Sequence, residues 1–171
     1  MNKRVSLIVL CVVALGVISA HVSWVQKENG YLLVLDAREI DIMGEAKNDW
    51  VRSTRNCDGV WRLDHEDQRY LEVAQTIKAY SPPHSESAQL ASVWTTGIWT
   101  LAEVEFKDLL PAVVLMKSVG GISTIMPNAV WSGYTRPWKA APYIREYLSK
   151  NSLETPVSLF ECFEPHSKAF R

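Results

Sequence analysis

No run of basic residues longer than a pair occurs in this chain. That removes the electrostatic footprint of a nucleic-acid binder. There is no G-x-S-x-G turn and no P-loop, and Gly120-Gly121 is not the G-x-G-x-x-G of a dinucleotide site. No H-E-x-x-H is present to set two imidazoles on one helix face. The four histidines, His21, His65, His84 and His166, are scattered in or beside polar stretches and read as surface residues. Internal repeats, low-complexity runs and a second long hydrophobic span are also missing. These absences lead to no expected cofactor, no expected metal site and no assigned catalytic residue. A non-enzyme is the favoured reading.

What the chain does have comes first. Lys3 and Arg4 precede Val5 to Ile18, which is apolar apart from Ser6. Ser19 and Ala20 follow. A charged start, an apolar middle and a small-residue end have the plan of a secretory signal. Cleavage would fall near Ala20, although Ile18 is bulky for its place three residues ahead of the cut. The competing reading is an uncleaved anchor. No Asp, Glu, Lys or Arg occurs between Val5 and Gln26, and about 21 residues suffice to span a bilayer. Either way the two cations keep the N-terminus inside and send the rest out. Residues 1–25 are thus expected to be a signal peptide or membrane anchor, forming an N-terminal apolar helix. Residues 26–171 are expected to be one exported globular domain.

That domain is long enough to hold its own core. Two of the 18 basic residues lie in the leader, so the remainder is slightly acidic. Beyond Cys11 the cysteines are Cys57 and Cys162. Two cysteines in an oxidising compartment predict one disulfide. It closes a loop of about 105 residues, worth about 4–5 kcal/mol by chain entropy alone.

Tyr31 to Leu35 reads as a short strand or the lead-in to a helix. Asp36 and Glu39 have capping-box spacing, which predicts a helix from about Ala37 to Ser53. Val60-Trp61 reads as a short strand. Asp64-His65-Glu66-Asp67 is the most metal-like run, but it reads better as a helix start with Asp64 as N-cap. Ser81-Pro82-Pro83 ends that helix. Gln89–Thr95 and Ile98–Phe106 read as a hairpin turning at Gly97. Leu109–Met116 predicts a third strand, with Pro111 limited to its edge or its first residues. Ile122–Met126 is a fourth, with a loop from Pro127. A helix is expected from Pro142 to about Asn151. Val157 to Cys162 suggests a last strand, and Glu164–Arg171 a frayed tail. The fold class is α+β: an antiparallel sheet of three to five strands with helices packed on one face.

Two places stand out for function. Val130 to Trp138 gathers Trp131, Tyr134, Arg136 and Trp138 around Gly133 and Pro137. Aromatic rings beside an Arg in a loop suit recognition of a protein partner. Glu103 and Glu105 share one face of a strand, and paired carboxylates can do acid–base work, as in glycoside cleavage. Solvated acids are the plainer account of the pair. The compact leader and the absence of Asn-x-Ser/Thr acceptor sites suggest a bacterial envelope. The expectation is an exported binding, inhibitor or immunity-type protein, or a subunit of an envelope complex. It would be periplasmic or held at the inner membrane. The alternative is a small cell-wall hydrolase using Glu103 and Glu105.

Overall fold

The computed structural model describes residues 20–170, with Val13 and Gly16 ahead of them. The apolar helix expected at the N-terminus therefore lies largely outside the described residues. The chain divides into two compact units, residues 1–46 and 47–171.

In the first unit, β1 (Val22–Lys27), β2 (Gly30–Leu35) and β3 (Arg38–Ile40) form an antiparallel meander. The capping box expected at Asp36 does not form. Leu35 pairs with Arg38 instead, so Asp36 and Ala37 become a two-residue turn. Their φ values are 47° and 65°, the mirror-image turn that suits the twist of a hairpin. Glu39 is consumed in β3. The helix begins later, as α1 (Ile42–Thr54). Its true cap is Asp41, whose carboxylate accepts from the Gly44 N–H at 2.8 Å.

In the second unit, β4 (Trp61–Arg62), β5 (Gln89–Thr96), β6 (Trp99–Glu105), β7 (Ala112–Val119) and β8 (Ile122–Ser132) pair in sequence order. Each neighbouring pair is antiparallel. The expected hairpin is present, with Gly97 at φ 54° in its turn. The fourth strand does not stop at Met126. It bulges and resumes: Met116 pairs with Ile125, but Val114 pairs with Val130. Pro127 sits in the bulge, where its missing N–H costs no ladder bond.

Helices cover both faces of this sheet, which corrects the single covered face expected. On one face Ala102, Val104, Val114 and Met116 pack with Val73 and Ile77 of α2 (Gln68–Tyr80). On the other, Leu101, Val113 and Leu115 pack with Ile144 and Leu148 of α3 (Ala140–Asn151) and with Leu159 and Phe160 of α4 (Val157–Cys162). Strands buried on both sides read as unbroken apolar runs. That is why β7 begins Ala-Val-Val-Leu-Met, without alternation.

The last element is a helix and not the expected strand. Leu159, Phe160, Cys162 and Phe163 lie on one helical face, and all four are buried. The disulfide between Cys57 and Cys162 is present, with Cα atoms 5.8 Å apart. It ties the turn ahead of β4 to the end of α4. Replacing both cysteines with Ser is expected to cost about 2–5 kcal/mol. A urea midpoint unchanged in the double variant would contradict this.

Candidate functional site

The residues expected to form a recognition loop do not all lie in a loop. Val130, Trp131 and Ser132 are the end of β8, paired with Val114, Val113 and Ala112. The register points Trp131 to the α3 side of the sheet. There its ring meets Phe170 edge-on, at 5.4 Å between centroids. Trp138 is half-buried and meets Tyr143 at 6.2 Å. Tyr134 and Arg136 are the exposed pair, with Tyr134 65% exposed. The loop is thus two seated indoles presenting a Tyr and an Arg. Seated rings lend rigidity, and a rigid Tyr loses little entropy on binding.

Beside this loop is a feature that sequence reasoning missed. A cavity of about 360 Å³ opens at the end of the sheet where β6 leaves and β7 enters. Its walls include Ile77 and Tyr80 from α2, Phe106, Leu109 and Leu110 from the following loop, and Val130 from β8. Tyr80, Leu109 and Leu110 are all partly open to solvent. The two loops are stitched together, because the Gly133 N–H donates to the Pro111 carbonyl at 3.0 Å. Gly133 has φ 137°, a conformation open to glycine and costly for other residues. The stitch sets exposed Leu110 and exposed Tyr134 each one residue from the same hydrogen bond. The sequence signal was Pro111: it keeps Leu109 and Leu110 out of β7, so two leucines remain without a strand to bury them.

The paired carboxylates have a different role from either one weighed for them. Glu103 is fully buried. Its oxygens accept from Ser92 Oγ at 2.8 Å, from the His166 N–H at 2.9 Å and from the Ser167 N–H at 2.8 Å. Glu105 accepts from Ser167 Oγ. The expected frayed tail is therefore held against the sheet. Ser167 Oγ also accepts from the Ala169 N–H, turning the chain so that Phe170 enters the core. Both acids do share one strand face, as expected, but that face is the interior one.

A second polar knot holds the same tail. Arg145 donates to the carbonyls of Phe160 and Phe163, to Asn48 Oδ1 and to Glu164. Arg55 donates to Glu164 and to the Glu161 carbonyl. Two guanidiniums thus satisfy carbonyls left open at the end of α4. Burial pushes the Arg145 guanidinium below its ordinary value, and Glu164 pushes it back up.

The acidic run is a helix start, but three residues later than expected. Asp67 is the N-cap of α2, accepting from the Arg69 N–H at 2.8 Å. Asp64 accepts from its neighbour His65 instead. Its carbonyl accepts from the Asp67 N–H, so the run folds into a turn before the helix begins. Among the described residues, no three His, Cys, Asp or Glu side chains are grouped as metal ligands would be. No helix among them is long and apolar enough to cross a membrane. The chain matches no family model, no curated protein and no solved structure.

Two measurements check this account. Glu103→Gln places an NH₂ against a set of donors. It is expected to cost about 2–4 kcal/mol and to open the tail to carboxypeptidase. A tail as resistant as the wild type would refute the clamp. On the surface of α3, Lys150 hydrogen-bonds Glu146 at 2.8 Å, and Lys47 lies 3.4 Å away. The Lys150 hydrogen bond, then the charges of both lysines, hold the Glu146 carboxyl below its ordinary range. Its small contribution is full above the unfolded carboxylate pKa and is lost as pH falls through the lower folded value. Glu146→Gln should flatten that part of the stability–pH profile, and an unchanged profile would contradict the pairing.

Proposed function

We propose that this is an exported envelope protein that binds a protein partner, as an inhibitor or immunity-type protein or as a subunit of an envelope complex. One observation carries the reading. An apolar cavity opens beside two stitched loops that expose Leu109, Leu110 and Tyr134. Interface hot spots have this form: an apolar or aromatic anchor over a packed base, with a polar group at the rim. Arg136, exposed in the same loop, supplies the polar rim. The disulfide is compatible with an oxidising compartment outside the cytoplasm. The leader Met1 to Ala20 supplies the route, whether it is cut or kept as an anchor.

The hydrolase reading has less support. It needs Glu103 or Glu105 at a cleft where a water and a sugar can reach it. Glu103 is fully buried and occupied by three donors, and Glu105 is engaged by Ser167.

The test uses a photo-crosslinking residue at position 134 or 110 in cells, with Gln75 on the exposed side of α2 as the control position. The same defined adduct from both test positions and not from the control is expected. Equal labelling at all three would sink the proposal. With the partner in hand, Tyr134→Ala and Leu110→Asp are each expected to weaken binding about 30-fold or more, with little change in melting temperature. Trp131→Ala should instead cost about 3 kcal/mol or more of stability, because its ring packs against Phe170.

A further inference from the structure

The first unit presents a sheet face of unusual composition. Directly paired residues in an antiparallel sheet share a face. Val22 pairs with Leu35, Trp24 with Leu33, Gln26 with Tyr31, and Leu33 also with Ile40. That face therefore holds six apolar or aromatic residues, with Gln26 and Arg38 as its polar members. It carries no acid. The other face carries the ion pair of Lys27 with Glu39, at 2.7 Å, beside Val25, Val34 and the fully buried Leu32. The apolar face is open: Trp24 is 59%, Tyr31 55% and Leu35 42% exposed. An ordinary soluble sheet turns its apolar side inward.

Position explains what this face meets. The apolar run ends at Ile18, Ser19 and Ala20 follow, and β1 begins at Val22. No spacer intervenes. His21 is already fixed to the β2–β3 turn, its carbonyl accepting from the Asp36 N–H at 3.2 Å and its Nδ1 lying 2.5 Å from the Asp36 carboxylate. Val22, where β1 begins, is two residues past Ala20, a reach of at most about 7 Å. Each polar layer of a bilayer is about 5–7 Å deep, from the difference between the full and hydrocarbon thicknesses. As a helix Val5 to Ala20 would be about 24 Å long, which crosses with local thinning of the bilayer, so a span that ends at Ala20 delivers β1 straight into that layer. Trp and Tyr are the side chains that favour it, with an apolar body and a polar tip.

We infer that the face of this sheet bearing Trp24 and Tyr31 lies in the headgroup layer of a lipid bilayer. The inference rests on residues 1–20 being kept as an anchor. The acid-free side faces the lipid, and the side that bears Lys27 and Glu39 and buries Leu32 is turned away from it. Attraction to anionic lipid is not needed, so phosphatidylcholine suffices as the probe.

The test uses the full chain in phosphatidylcholine vesicles, with and without bromine at shallow acyl positions that quench indole. A quenched component is expected in the wild type and is lost in Trp24→Phe. Moving the indole to the other face, in Ser23→Trp combined with Trp24→Phe, should not restore it. Circular dichroism confirms that each variant is folded. If the chain stays with the vesicles but quenching is the same in all three, the sheet does not lie on the lipid, and the anchor reading survives. If the chain leaves the vesicles, the anchor reading itself fails and takes the inference with it. A change in oligomeric state on Trp24→Phe, without any lipid quenching, would assign the face to a second copy and overturn the inference.

Discussion

The second unit depends on one buried carboxylate. Glu103 sits in the middle of the sheet with no exposure, on the face that α3 and α4 cover. A buried acid without partners costs several kcal/mol. Here one partner is local, Ser92 opposite it in the β5–β6 hairpin, and the others, the His166 and Ser167 amides, come from the far tail. The tail then delivers Phe170 into the core, and Phe170 seats Trp131. Trp131 lies at the end of β8, just ahead of the loop that exposes Tyr134. Burial of a single charge is in this way coupled, step by step, to the shape of the proposed recognition surface.

The disulfide and the Arg145 knot act on the same terminus from the other side. Cys162 is bonded to Cys57, and Glu164 is gripped by Arg55 and Arg145. The segment from Cys162 to Phe170 is thus held at three points with different chemistry: a covalent bond, an ion-pair network and a carboxylate clamp. A terminal segment that buries little apolar area on its own would otherwise fray. The aromatic loop is built on it, so the positions of the loop residues are as secure as that tail.

How much was legible follows from which contacts are local. The β5–β6 hairpin was readable because Gly97 and the Val, Trp and Thr runs around it are neighbours in sequence. The disulfide was readable by counting. The class, α+β with an antiparallel sheet, followed from these. The covered second face was not read, although the unbroken apolar run of β7 carried that information. Asp36 was misread because its capping-box partner was claimed by strand pairing, and tertiary context decides such contests. The helix of Val157–Cys162 was misread because six residues are too few to separate the two periods with certainty. The role of Glu103 was out of reach: its tail partners, the His166 and Ser167 amides, lie more than 60 residues away, and nothing local distinguishes a solvated Glu from a clamped one. Of the four residues named for the recognition loop, Tyr134 and Arg136 are exposed and the two indoles are seated beneath. The cavity beside them was invisible because it is assembled from α2, a loop and β8.

The edges of the five-stranded sheet have a further consequence. An open strand edge is a template onto which another chain can add and start a fibre. At one edge, β4 offers only Trp61 and Arg62, and the part of β5 that it leaves uncovered is bulged between Leu90 and Ser92. The other, β8, is broken in its middle by the Pro127 bulge, where one donor is missing and the ladder loses register. Neither edge gives an incoming strand a straight run of pairing groups. The long central strands can therefore be as apolar as a two-faced core requires without making this sheet a template for further strands.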